Sequence, residues 1–225
     1  MYTITAKLFT HLQKSVHASI GMESDLLIQQ SVEKFGYLEA KKIANQATEE
    51  GEVHVLDNYI PENCSSDDKY GEITIYALMA KLFAQVSKAI SDHYGKKGKD
   101  AIREGVRTFG EERGRGIADR AAHMGKDTTI DNYLSHYDMG RSDLFEFESD
   151  IGSEVIEQTF TKCPFGQQWA DDEMHEYGIL YCQMIDPAVA KGYNPNFEVI
   201  HDKYVLKEGV CHFEFKLKES RDEGQ

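Results

Sequence analysis

Apolar residues recur at every fourth position in two stretches of this chain: Ile4, Leu8, Leu12 and Val16, then Leu78, Leu82, Val86 and Ile90. That spacing lays a stripe along one face of an α-helix and does not fit a strand. Gly21 and Gly95 fall just past the stripes, where a helix end favours a residue at ease with positive φ. A second helix is predicted over residues 26–50, and again over 100–124, with stops at Gly51 and Gly125. A DNY segment follows each stop, at 57–59 and 131–133, and its Asp and Asn are expected to cap a short turn.

The two stretches align with one another. Sliding the chain by 74 positions places residues 2–60 on 76–134 without a gap, AKLF on AKLF, Phe35-Gly36 on Phe109-Gly110 and DNY on DNY. A tandem duplication of a helix–turn–helix–turn unit is the expectation, filling residues 1–140. The second copy differs in carrying Gly105, Gly110, Gly114 and Gly116 within its second helix. Each interior glycine costs about 0.5–1 kcal/mol against alanine, so their density points to a close helix approach, a kink or a ligand.

Residues 141–225 follow a different rule. Residues 144–148 alternate apolar and polar, and 155–162 continue in that style until Cys163-Pro164. One helix is predicted over 171–191, then a strand over 197–206, a hairpin turn at 207–210 and a last strand. On that strand Cys211, Phe213, Phe215 and Leu217 share one face. From Glu219 the polar tail is expected to fray. The fold class is therefore α+β: a duplicated helical region followed by a small antiparallel-sheet module with a covering helix.

Charge narrows the partners. The 225 residues carry a net charge of -14 and a pI near 5.1, which argues against nucleic acid or an anionic membrane surface. The basic run over 96–120 is interleaved with acids and reads as a solvated helix face. Neither a membrane-spanning run nor a signal peptide is recognisable, so the expectation is a cytoplasmic protein with free thiols at Cys64, Cys163, Cys182 and Cys211.

Three of those cysteines fall in the C-terminal module, at spacings unlike paired CxxC zinc ligands. Cys211 on an apolar strand face and Cys182 beside Tyr181 also suit a core; Cys163, before a proline, suits exposure. A thiolate needs a base or a positive field, which His175 or His201 could supply. Asp186 lies one helical turn from Cys182 and could deprotonate a water. No GxGxxG, P-loop, HExxH or GxSxG occurs, so no cofactor and no catalytic metal is expected.

Four blocks in order, CPFGQQW (163–169), GILYCQMID (178–186), KGYNPNFEV (191–199) and LKEGVCHFEF (206–215), resemble the bacterial 2-amino-thiazoline-4-carboxylic acid hydrolases. The likeness spans about residues 100–217. It implies a hydrolase that opens a C–N bond of a small cyclic amidine- or amide-type substrate, by a cysteine nucleophile or an activated water. Carried over by position, it suggests Cys163 or Cys182 as attacking group and Asp186 as proton carrier. Trp169, Tyr181, Asn194 and Cys211 then line the substrate, with Gly209 at the hairpin; His201, which lies in the same module, is expected to join them from its chemistry alone. The duplicated helical unit departs from simpler family members and leaves the substrate open. The same module is more distantly similar to small-molecule sensor domains of the 4-vinyl-reductase type. That likeness implies a non-catalytic binder, with His201, Asp202, Cys211 and Cys182 as conceivable zinc ligands. A homo-oligomer assembled through the helical repeat is a third reading.

Overall fold

A computed structural model describes residues 1–64, 67–138, 142–152 and 155–218. The boundary expected at residue 140 and the tail from Glu219 lie outside the described residues. In chain order the elements are α1 (Tyr2–Ser19), α2 (Asp25–Phe35), α3 (Tyr37–Glu49), α4 (Ile75–His123), α5 (Ile130–Ser135), β1 (Glu146–Ile151) and β2 (Val155–Lys162). There follow α6 (Pro164–Asp171), α7 (His175–Cys182), α8 (Ile185–Tyr193), β3 (Phe197–Lys203), α9 (Val205–Glu208) and β4 (Cys211–Leu217). The architecture is α+β, and no helix among the described residues is long and apolar enough to cross a membrane.

The chain divides into two compact units, Met1–Val106 with Pro164–Tyr181, and Arg107–Cys163 with Cys182–Gln225. In the first unit the expected stripes are the buried faces of α1 and of the start of α4: Leu8, Leu12, Val16, Leu82, Val86 and Ile90 are all nearly inaccessible. Burying a Leu or Ile side chain contributes about 1.5–3 kcal/mol, so these stripes dominate local stability. The helix expected over 26–50 is in fact two helices. Gly36, at φ 126°, leaves helical geometry between α2 and α3. A Cβ there would lie 2.2 Å from a Glu39 carboxylate oxygen, whose other oxygen accepts from the Lys69 amide. Helix α4 is similarly interrupted at Gly95 (φ 57°) but resumes at once. The first DNY segment forms a 3-10 turn, with the Tyr59 hydroxyl donating to Asp25 at 2.6 Å. In the second, Thr129 and not Asp or Asn supplies the cap, accepting from the Asn132 amide.

The second unit holds a four-stranded antiparallel sheet, ordered β1-β2-β4-β3. Cys211, Phe213 and Phe215 of β4 are buried as their alternation required, beside Phe197 and Val199 of β3. The ring of Tyr133, on α5, meets Phe197 edge-on at 4.9 Å. Two expectations change here. Residues 171–191 are not one helix: Glu173 takes a positive φ of 55°, and α6, α7 and α8 are separate turns of chain. Pro164 also opens α6, using the helix position where a missing N–H costs nothing. The turn expected at 207–210 is instead the short helix α9, closed by Gly209 in the left-handed region at φ 77°.

The glycine density of α4 has a packing cause. A Cβ on Gly110 would sit 2.7 Å from the Ala188 Cβ, and one on Gly114 would sit 2.1 Å from the Val189 carbonyl oxygen. Gly192 of α8 reciprocates, facing the Glu111 backbone at 2.2 Å. Helices α4 and α8 thus approach backbone to backbone, and α8 carries Asp186.

Candidate functional site

Asp186 lies in the first turn of α8, and His201 lies on β3, in register with Phe213 of β4. The His201 Nδ1 is 3.1 Å from the Cys182 carbonyl oxygen and 3.8 Å from an Asp186 carboxylate oxygen. The first distance is a hydrogen bond and the second is a longer polar contact. Burial pushes the imidazole down to about 4, so the ring is neutral at pH 7 and no ion pair forms with Asp186. Burial pushes the Asp186 carboxyl up to about 7, even though the positive charge of Arg113 pulls the other way. A carboxyl poised near neutrality can take up and release a proton in ordinary solution.

Arg113 is the residue that sequence reasoning missed. The basic run over 96–120 predicts a solvated face, yet the Arg113 side chain is 2% exposed and holds Asp138 in a fork, Nε to one oxygen at 3.1 Å and Nη2 to the other at 2.5 Å. Its guanidinium also lies over the rings of Phe109 and Tyr137, 5.5 Å from each. Pairing and aromatic faces together compensate for its burial. Burial alone would raise Asp138, but the guanidinium overrides it and holds the carboxyl below its ordinary range. Two carboxylates in one unit, Asp138 and Asp186, are thereby shifted in opposite directions: the hydrogen-bonded guanidinium prevails over burial at Asp138, and burial prevails over the same cation at Asp186. A signal for Arg113 exists only in hindsight: it stands between Gly110 and Gly114, on the stretch that α8 presses against.

Two of the thiols, Cys182 and Cys211, are tuned away from reactivity. Burial pushes Cys182 well up, reinforced by Cys163, Cys211 and Asp186 nearby, and burial takes Cys211 to about 12. Both are neutral thiols at pH 7, and a neutral thiol is a weak nucleophile. The Val205 amide donates to the Cys211 sulfur at 3.2 Å. Cys163 is half-buried at the start of α6, and no disulfide joins any of the four cysteines.

The remaining expected site residues have structural engagements. Trp169 and Tyr181 belong to the other compact unit, in an aromatic cluster with Phe83 and Phe165. The Trp169 indole donates to the Ala80 carbonyl at 2.9 Å. The Asn194 amide donates to the Thr128 carbonyl at 2.9 Å, and its oxygen accepts from the Asn196 backbone. The conceivable zinc set does not assemble: Asp202 pairs with His212 at 2.7 Å, and among the described residues no three His, Cys, Asp or Glu side chains group as a metal ion needs. The structure therefore brings Cys163, Cys182, Asp186, His201 and Cys211 into one neighbourhood and gives Trp169, Tyr181 and Asn194 packing or turn-forming contacts.

Comparison with known proteins adds three findings. No curated protein matches the chain. Among solved structures, one from work on haem distortion in the H-NOX family is 14% identical, covers 98% of each chain and superposes with a TM-score of 0.43. An Fe(II) unliganded H-NOX mutant from K. algicida is 13% identical over 96% of this chain and 97% of its own, with a TM-score of 0.42. Superpositions this loose say nothing about what the present chain binds. The sequence model of L-2-amino-thiazoline-4-carboxylic acid hydrolase matches residues 75–215, more than half of the chain and the span that carries Arg113, Asp138, Asp186 and His201. The chain belongs to the L-2-amino-thiazoline-4-carboxylic acid hydrolase family.

Proposed function

We propose that this protein hydrolyses a small cyclic amidine-type molecule, opening its C–N bond with a water that Asp186 activates. Family membership supports the reaction class, and the observation that carries the mechanism is the part-buried Asp186 carboxyl, raised to about 7 beside a neutral His201. In its ionised form Asp186 accepts a proton from water as the oxygen bonds to the amidine carbon. The tetrahedral centre then collapses to a carbonyl. Asp186 passes its proton to the ring nitrogen, then takes the proton of the new hydroxyl as the carbonyl forms. It delivers that second proton to the same nitrogen as the ring C–N bond breaks, so both protons of the water end on the departing amine and Asp186 returns to its ionised form. The buried Cys182 and Cys211 thiols are protonated at neutral pH, which favours water over a thiolate as the attacking group.

The test is mass spectrometry of 2-amino-thiazoline-4-carboxylate incubated with the purified protein, beside Asp186→Asn, Cys163→Ala and Cys182→Ala. The expected product is heavier than the substrate by one water and disappears only in Asp186→Asn. Loss in a cysteine variant with Asp186→Asn active would replace the water mechanism with a thiol one. A product carrying a free thiol would mean that the C–S bond, not C–N, had opened. No product from wild type, with the ligand retained, would make the protein a binder.

A further inference from the structure

His201 is as buried as His54, but both ring nitrogens of His54 have hydrogen-bond partners, whereas only Nδ1 of His201 has one of normal geometry. Its side chain is 2% exposed, and its imidazole lies between the rings of Tyr204 and Phe213, each 4.0 Å away between centres. The Cys182 carbonyl can only accept, so the hydrogen bond at Nδ1 requires the proton to sit on that nitrogen. In the neutral ring Nε2 is then a bare lone pair. Nε2 is buried and has no hydrogen-bond partner of normal geometry. The Lys203 backbone hydrogen-bonds the ring more weakly than Cys182 does; since it raises the basicity of the ring, it acts as an acceptor and supplies no donor. Buried polar atoms are nearly always satisfied, and one that the fold holds rigidly without a donor points to a donor arriving from outside.

We propose that Nε2 of His201 accepts a hydrogen bond from the substrate, so that the site selects molecules bearing an amino N–H on the carbon to be attacked over isosteres that lack it. This rests on the hydrolase reading above. A fixed buried acceptor discriminates strongly, because a ligand without the N–H leaves that acceptor buried and unmatched. The stacked rings hold the imidazole plane, and the Cys182 carbonyl holds the tautomer.

The experiment is side-chain nitrogen NMR of the whole chain at pH 7, followed by titration with 2-amino-thiazoline-4-carboxylate and with its 2-methyl counterpart. Without ligand, Nδ1 of His201 should carry the proton and Nε2 should not; the reverse tautomer or an imidazolium would overturn the proposal. Wild type should bind the amino compound about 10- to 100-fold more tightly than the methyl one, and only the amino compound should move the Nε2 resonance. His201→Phe, which keeps a ring between Tyr204 and Phe213, should bind the two alike. An equal loss for both ligands in that variant would mean a packing role and sink the assignment; the wild-type arms decide alone if the variant does not fold. Product formation with an unmoved Nε2 removes this proposal and leaves the hydrolase, whereas a shifted Nε2 with no product does the opposite. If neither compound binds, both fall.

Discussion

Replacing Asp186 with asparagine should make the protein more stable while abolishing turnover, and the size of the gain follows from the site. An ordinary aspartate ionises near 3.8, and burial takes Asp186 to about 7, a difference of about three pKa units. At ~1.4 kcal/mol per unit, the folded state carries a penalty of up to ~4 kcal/mol for holding this carboxylate ionised. Because 22% of the side chain still meets solvent, about half of that, ~2 kcal/mol, is the expected gain. The sign is opposite to that of a salt-bridged acid. With its folded pKa above the unfolded one, Asp186 favours the native state most below pH 3.8, loses that contribution between about 4 and 7, and is constant above. Asparagine cannot ionise, so the advantage of Asp186→Asn should be small below about pH 4, grow through pH 5–7 and reach ~2 kcal/mol at pH 8. Urea unfolding followed by circular dichroism across that range measures it directly. A variant that is less stable than wild type at pH 8, or whose difference from wild type does not change with pH, would refute the reasoning that burial tunes this carboxyl.

Two other perturbations probe the same unit. Asp138→Asn removes a carboxylate that is hydrogen-bonded to the buried Arg113 guanidinium and should cost about 3–5 kcal/mol at pH 7, read as a lowered urea midpoint. Since Asp138 is held below its ordinary range, its contribution is present at neutral pH and fades as pH falls through its folded pKa, so wild type and variant should converge in acid. Gly114→Ala would place a methyl group 2.1 Å from the Val189 carbonyl. It should lower the thermal midpoint by the equivalent of about 1–3 kcal/mol and disturb α8, and with it Asp186. Gly116→Ala, with only an Arg120 side-chain atom near at 3.6 Å, is the matched control and should be neutral or slightly stabilising.

Much of the scaffold was readable because its signals are local. The four-residue stripes of α1 and α4, the stops at Gly51 and Gly125, and the alternation of β4 all follow from side chains a turn or a pleat apart. The break at Gly36 was not readable, since the matching Gly110 stays helical; what differs is the neighbour, a Glu39 carboxylate in one case and α8 in the other. The split of residues 171–191 into separate helices was hidden for a related reason, because the positive φ of Glu173 is a cost that only tertiary packing can impose on a non-glycine residue.

For the candidate site the division is sharper. Sequence alone named Cys163, Cys182, Asp186, His201 and Cys211 as chemistry-bearing side chains and pointed to the family through its four blocks. It could not assign their protonation states, because a pKa is set by burial and by charges brought close from distant positions. Only the fold placed Arg113 against Asp138 and within range of Asp186, raised one carboxyl while lowering the other, and buried the Cys182 and Cys211 thiols in their neutral form. Local periodicity decided which elements form; the low dielectric of the packed interior decided which of their side chains can do chemistry.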